Sequence, residues 1–388
     1  MDNYTYSMNT NSEKTNKCGE GILLENNCAL LTENMDIVVK FFPFSTLTFR
    51  HPKWYSICIK FLLREERKGR KNMKKTIALI LAVIMVLSMT ACGSKKDTYT
   101  VGICQLVTHP ALDEATRGFQ EALVAELGEE NVEFNLQNAA GDSNTCSSIV
   151  NTFVADDVDL IMANATPALQ AAATATTEIP ILGTSVTEYG VALNIENFDG
   201  LVGTNVSGTS DLAPLDKQAA MVKEWFPDAK NAGLLYCSAE ANSKYQVDVV
   251  KAELEAMGYT CTLYSFADTN DMPAVTEECA ANSDVIYVPT DNTAANGADV
   301  IDGICRAAGV PIIAGEAGIC SSCGVATLSI SYYDLGVATG KMAAKILKGE
   351  AKISEMPIEY AATSTPKYNA EICADLGLTP PAGYEALD

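Results

Sequence analysis

Histidine, tryptophan and basic side chains are scarce in this 388-residue chain, and each scarcity closes off a kind of chemistry. Two histidines occur, His51 and His109, and one imidazole without a cluster of neighbouring ligands is poor zinc chemistry, so no metal is expected. No G-x-G-x-x-G follows the first apolar run, which argues against a bound dinucleotide, and no G-x-S-x-G elbow supports an α/β-hydrolase. The run "GVATGKM" from Gly336 is one residue short of a phosphate loop. It also has Met342 where Ser or Thr should bind magnesium, and it lies within a helical pattern. No nucleophile–base pair stands out, so neither an enzyme nor a cofactor is expected. Over residues 92–388 the chain holds 14 basic and 41 acidic residues, a net of −27. A polyanion is repelled by nucleic acid and by anionic membrane surfaces, so neither is an expected partner.

Long apolar runs are missing as well. The longest, Ile77–Leu87, falls well short of the roughly 20 residues a spanning helix needs. It sits in "MKKTIALILAVIMVLSMTACGSKKD", which has a basic front, an apolar middle and a small-residue end, the layout of a cleavable secretory signal. "MTAC" resembles a bacterial lipobox with Met89 in place of the usual Leu, which makes Cys92 the expected lipidation site. The reading is therefore a signal peptide over 73–91 and a lipidated tether over 92–97. The lipid would be the sole membrane attachment, on the extracytoplasmic face. Residues 1–72 show no sustained period and end in "REERKGRKN". They read as an extension outside the working protein, with translation starting at Met73. Nine cysteines follow Cys92, an odd number scattered through apolar strands and helices, which is no disulfide framework. The pair in "CSSC", Cys320 and Cys323, is a single C-x-x-C, open to a redox or metal role but more simply a loop disulfide or two idle thiols.

What the chain does have, from Tyr99 onward, is alternation. Apolar runs of strand length, "YTVGICQLV", "VEFNLQNA", "VDLIMANAT", "IPILGTSV" and "LVGTNVS", alternate with amphipathic stretches of helix length. A second set of five follows: "NAGLLYCSA", "YTCTLYSFA", "SDVIYVPT", "VPIIAGEA" and "VATLSISYY". Continuous apolar strands separated by helices imply parallel sheets covered on both faces. Five strands twice over predict two doubly wound α/β lobes, and nearly 300 residues suit two cores. The expected lobes are 98–209 with 330–356, and 210–329 with 357–388, joined by a three-crossing hinge with a cleft between them.

In open α/β sheets ligands sit beyond the carboxyl ends of the strands. In lobe 1 those ends offer Gln105, His109, Thr166, Pro167, Thr184 and Ser185, and the seam "VSGTSDLAP" adds Asp211. In lobe 2 they offer Asn242, Ser243, Thr290, Asp291, Asn292 and Glu316. Several precede a helix, so plain N-capping competes with ligand binding at each. An α-amino acid would need anion donors, for which Thr166, Ser185 and backbone amides are the candidates. It would also need a carboxylate for its ammonium, which is expected to be Asp291, with Glu316 as a second candidate beside it. Tyr245 and Tyr333 are the candidate walls for its side chain.

"ICQLVTHPALDEATRGF", "ATPALQAAA", "VSGTSDLAP", "ANSKYQV", "VPTDNT" and "SYYDLGVATGKMAAKIL" together, over roughly 98–376, resemble the solute-binding lipoproteins of an ABC importer family of the tryptophan- and tyrosine-binding type. The resemblance implies the periplasmic-binding-protein type I fold, capture of an amino acid by hinge closure, and ABC permease and ATPase subunits as partners of a monomer. "GEAGICSSCG" departs from the family's pattern. A lipoprotein that senses the same ligand for a membrane receptor is the other function this sequence fits.

Overall fold

The computed structural model describes residues 98–387; the expected extension at 1–72, the signal at 73–91 and the tether with Cys92 lie outside the described residues. Lobe 1 opens with β1 (Tyr99–Gln105), α1 (Pro110–Leu127), β2 (Val132–Asn138), α2 (Ser143–Ala155) and β3 (Leu160–Asn164). It continues through α3 (Thr166–Ala175), β4 (Ile181–Val186), α4 (Tyr189–Leu193) and β5 (Val206–Ser210). Lobe 2 runs α5 (Leu215–Trp225), β6 (Asn231–Cys237), α6 (Ala241–Ala256), β7 (Thr260–Phe266), α7 (Met272–Asn282) and β8 (Val285–Val288). After these come α8 (Asn292–Asn296), α9 (Ala298–Ala308), β9 (Ile312–Ala314), α10 (Ala317–Cys323) and β10 (Ala326–Ser329). The chain then returns to lobe 1 as α11 (Tyr332–Leu347) and β11 (Glu359–Tyr360), and ends in lobe 2 with β12 (Thr365–Tyr368), α12 (Ala370–Asp375) and β13 (Glu385–Ala386).

The first sheet has the order β11-β5-β4-β3-β1-β2 and the second β13-β12-β10-β9-β8-β6-β7. Every pairing is parallel except β10 with β12. The two lobes repeat one plan. In each, the first strand lies between the second and third, so strand order reverses beside β1 and beside β6, where open α/β sheets form their crevices. Strands β3 and β4 are buried at every residue, apolar where they begin and polar toward their carboxyl ends, in Asn164 and in Thr184 and Ser185.

Two expected boundaries move. The run "LVGTNVS" begins its strand only at Val206, after a loop through Gly203, and β5 extends to Ser210. The boundary at 356/357 falls short: Glu359 and Tyr360 pair with Thr209 and Ser210 in lobe 1, so the last passage to lobe 2 comes between Tyr360 and Thr365. The three connecting segments are thus 211–214, 330–331 and 361–364.

The glycines of "GVATGKM" pack helices. A Cβ on Gly336 would stand 2.0 Å from the Ala115 carbonyl oxygen of α1, and one on Gly340 2.6 Å from that of Phe119. From α1, a Cβ on Gly118 would meet the Tyr333 carbonyl oxygen at 2.2 Å. Three glycines let α1 and α11 approach closely, which fixes α11, and with it Tyr332 at its start, onto lobe 1.

Candidate functional site

Between the lobes, close to the connecting segments, lies a narrow cavity with about 20 Å³ of room for a solvent centre, enough for one water. Lobe 1 contributes His109, Leu112, Ser185, Thr187, Asp211 and Tyr332, and lobe 2 contributes Asn242, Thr290, Asp291, Asn292 and Glu316. Of the fifteen residues the sequence singled out, eight line this cavity. The walls approach each other at His109, whose Nε2 is 4.0 Å from Oε1 of Glu316. A Cβ on Gly318 would stand 2.5 Å from Cε1 of the same imidazole.

Ser185 is placed by a bulge. Gly183 of β4 pairs with Gly208 and Val186 with Ser210, so Thr184 and Ser185 together oppose Thr209. Ser185 takes φ 53, a left-handed conformation that costs a non-glycine residue about 1–3 kcal/mol and gathers at functional sites. Its Oγ is buried without a hydrogen-bond partner. Asp211 follows β5 directly, its backbone N–H donating to the Val186 carbonyl at 3.2 Å. The carboxylate is 3 % exposed, accepts the Tyr332 hydroxyl at 2.9 Å on Oδ2, and has no partner on Oδ1. Burial pushes its pKa up to about 6, with Glu316 adding to the rise and the hydroxyls of Tyr332 and Thr187 opposing it. Asn242, near the start of α6, donates from Nδ2 to the Thr290 carbonyl and to Glu240, which fixes its amide orientation and leaves Oδ1 buried and unpartnered.

The other cavity carboxylates are already engaged. Asp291 caps α8: Oδ1 accepts Ala294 N–H and Oδ2 accepts Cys237 N–H, both at 2.7 Å. Its pKa is raised all the same, by burial first and by the neighbouring Glu240 second. Glu240, which the sequence reading missed, accepts the backbone N–H groups of Asn292 and Thr293 at 3.1 and 2.8 Å and their side chains at 2.7 Å each. Glu316 caps α10 by accepting the amides of Gly318 and Ile319. It stands beside Thr290 because Gly315 lacks a side chain, a Cβ there falling 2.3 Å from the Thr290 nitrogen. His109 caps α1 through Nδ1, which accepts Ala111 N–H at 3.3 Å.

Seven sequence candidates lie elsewhere. Gln105 spends its amide inside lobe 1, donating to Val107 and Asp113 and accepting from Thr116. Thr184 joins a buried chain of hydroxyls through Thr209 to Thr339, at 3.1 and 2.9 Å. Thr166 and Ser243 are buried at the beginnings of α3 and α6 and do not line the cavity, though the Ser243 hydroxyl stands behind Asn242 and Asp291. Pro167 lines a neighbouring pocket of about 240 Å³, with Leu106, Val107, Ala239 and Ala267, which meets the cavity at Asn292. Tyr245 lines a separate pocket with Leu212 and Tyr360. Tyr333 faces outward, donating to Glu121 with Arg117 over its ring at 4.3 Å. The tyrosine at the cavity is its neighbour Tyr332, one position away on α11 and so on a different face.

Among the described residues no cluster could hold a metal, and no helix is long and apolar enough to cross a membrane. Cys320 and Cys323 are free thiols buried in α10, and burial pushes both well above the ordinary thiol range, which suits packing and not reactivity.

Two doubly wound parallel-sheet lobes, three connecting segments and a polar cleft between them define a periplasmic binding protein of type I, a class that holds solutes and does no chemistry on them. The chain belongs to the ABC transporter substrate binding protein family, which it matches over residues 100–382. It is 35% identical over 305 residues to a tyrosine-binding protein of Clostridioides difficile, across 74% of this chain and 87% of that one. A Streptococcus pneumoniae ABC domain in complex with L-Trp is 32% identical, superposes with a TM-score of 0.71, and is matched over 75% of this chain and all of that one. The ligand-free, open structure of a substrate-binding protein with adhesive properties from Clostridium difficile is 36% identical, with a TM-score of 0.59 over 75% of this chain and 99% of that one.

Proposed function

We propose that the protein captures an amino acid, tyrosine or tryptophan, outside the cytoplasm and delivers it to an ABC importer. In this reading it is a monomer held at the membrane by a lipid on Cys92. The observation that carries the ligand class is the set of buried groups left without partners around the cavity: Asp211 Oδ1, Asn242 Oδ1 and Ser185 Oγ. Two of the three are acceptors and one is a carboxylate oxygen, so they call for a ligand rich in donors and positively charged, which an α-ammonium supplies. The Ser185 hydroxyl can donate to the ligand's carboxylate. The neighbouring pocket that shares Asn292 with the cavity, lined by Leu106, Val107 and Pro167 together with polar groups such as Glu240 and Thr293, offers room for a side chain. The relatives' tyrosine and L-Trp favour an aromatic one.

Delivery by hinge closure fits the same observations. The cavity is narrow and lined from both lobes, so parting of the lobes is the route by which a ligand would enter it. This chain superposes better on the L-Trp complex than on the open, ligand-free protein, although the second is more similar in sequence. That ranking favours reading the arrangement here as closed. Thermal-shift and calorimetric titration of the purified protein with L-tyrosine, L-tryptophan and 3-(4-hydroxyphenyl)propanoate test the reading. An amino acid at 100 times its dissociation constant should add about 2.7 kcal/mol of stability, and the propanoate, which lacks the ammonium, should add nothing measurable. Equal binding of the propanoate, or no binding of either amino acid, would overturn it.

A further inference from the structure

We propose that Asp211 takes the ligand's ammonium, and that the Tyr332 hydroxyl is its positioning partner, a latch joining two of the three segments that connect the lobes. The inference rests on the amino-acid reading of the cavity and adds to it a specific receptor and a device that orients it.

Asp211 is the cavity carboxylate with an oxygen to spare. Both oxygens of Asp291 are held by backbone amides, and Glu316 and Glu240 are likewise engaged by the helix starts they serve. Asp211, in the cavity lining, has its backbone tied to β4, one oxygen on Tyr332 and the other without a full hydrogen bond, with the Thr187 hydroxyl close to the carboxylate. Its position adds meaning to the contact. Asp211 is the first residue of the segment 211–214, and Tyr332 follows directly on the segment 330–331. The hydrogen bond between them crosses 121 residues of sequence to pin the lobe 1 ends of both segments together. A ligand held on Oδ1 is therefore fastened where the lobes turn on one another, and any slackening of Tyr332 loosens the ligand's receptor.

The latch also makes affinity depend on pH. Only ionised Asp211 can face an ammonium without a proton between them, and burial holds its pKa near 6 in the absence of a cation. Affinity is accordingly lost as the pH falls through the carboxyl's pKa in the unliganded protein, which lies at or below this value because parted lobes expose the side chain, with one proton released on binding around it. Glu316 on the opposite wall raises this value, Tyr332 and Thr187 lower it, and buried Tyr189 lies within its electrostatic reach. Asp291 lines the far wall, and His109 pairs with Glu316. All of these except Tyr332 stay in place when Tyr332 is changed, so a comparison of variants cancels them.

The test is the dissociation constant of L-tyrosine and of L-tryptophan from pH 5 to 7.5 for the wild type, Tyr332→Phe, Asp211→Asn and the neighbouring control Tyr333→Phe. Wild-type affinity should fall toward tenfold per pH unit at the acid end of the range, once Asp211 is protonated in the unliganded protein. Tyr332→Phe removes a donor to the ionised carboxylate, so its fall should begin at a higher pH and its affinity at pH 7.5 should be roughly tenfold lower. Asp211→Asn should lose roughly thirtyfold or more at pH 7.5 and flatten the profile, and Tyr333→Phe should match the wild type. A Tyr332→Phe profile that overlies the wild type's refutes the latch, and an Asp211→Asn variant with undiminished affinity refutes the receptor. Failure of both amino acids to bind the wild type would instead remove the amino-acid reading, and the latch with it.

Discussion

Gly318→Ala tests whether the arrangement seen here is the ligand-holding one, because the added methyl would point across the cleft. Its Cβ would stand 2.5 Å from Cε1 and 2.7 Å from Nε2 of His109, and 3.1 Å from Oε1 of Glu316. Ordinary contact needs about 3.5 Å or more, so the imidazole and the helix must separate by about 1 Å. The imidazole is poorly placed to retreat: it caps α1 through Nδ1, and losing a cap costs about 1 kcal/mol. Overpacking of this kind costs about 1–3 kcal/mol, which as a penalty on the closed arrangement alone is a loss of about 5- to 150-fold in affinity. With the lobes apart the clash vanishes. Glycine is then replaced by a better helix former, worth up to about 1 kcal/mol within α10. The expected signature is a split: weaker binding of L-tyrosine by calorimetry, with unliganded thermal stability equal to or above the wild type's. Unchanged affinity would show that ligand is held with His109 and Gly318 farther apart than here, and a fall in unliganded stability would show that the contact persists without ligand.

Asp211→Asn should cost more ligand affinity than Asp291→Asn, because both Asp291 oxygens are committed to amides; equal losses in titrations of the two variants would return the ammonium to Asp291. Gly336→Ala should lower thermal stability by about 1–3 kcal/mol through a clash with the Ala115 carbonyl, and a wild-type melting temperature would mean that α1 and α11 pack less closely than described. Cys92→Ala should release the protein from the membrane in a fractionation assay, and continued tight attachment would remove the lipoprotein reading.

The fold was legible because its signal is repeated. Ten largely apolar runs in two sets of five gave two sheets, since a strand covered on both faces is buried along its whole length, and β3 and β4 are, with polar residues only toward their carboxyl ends. What stayed hidden was short or shared. Strands β11 and β13 are two residues each and exposed, so no apolar pattern marks them, and the boundary at 356/357 slipped for that reason. Leu201–Asn205 read as strand from composition, but positive φ at Gly203 breaks the run before Val206. The glycines in "GVATGKM" needed a partner helix before they had a meaning, and the partner, α1, lies more than 200 residues earlier in the chain.

Eight of the fifteen sequence candidates line the cavity, and among its carboxylates the sequence left one distinction open. A carboxylate at the carboxyl end of a strand can serve the next helix or a ligand, and local sequence is the same in both cases. Asp291 is followed at once by α8 and Glu316 by α10, so for each the nearest donors are the chain's own amides, and both are used there. Asp211 is followed by Leu212, Ala213 and Pro214, and α5 begins only at Leu215, with no side-chain cap. No helix-start amide donates to its side chain, and one oxygen stays open. The informative feature was therefore the distance from the acidic residue to the next helix. A carboxylate one residue before a helix is committed to it, whereas one stranded four residues short, on a segment that leaves the sheet, has to find its partner elsewhere. Here it finds Tyr332 across the connecting segments and, on the present reading, the ammonium of whatever the lobes close upon.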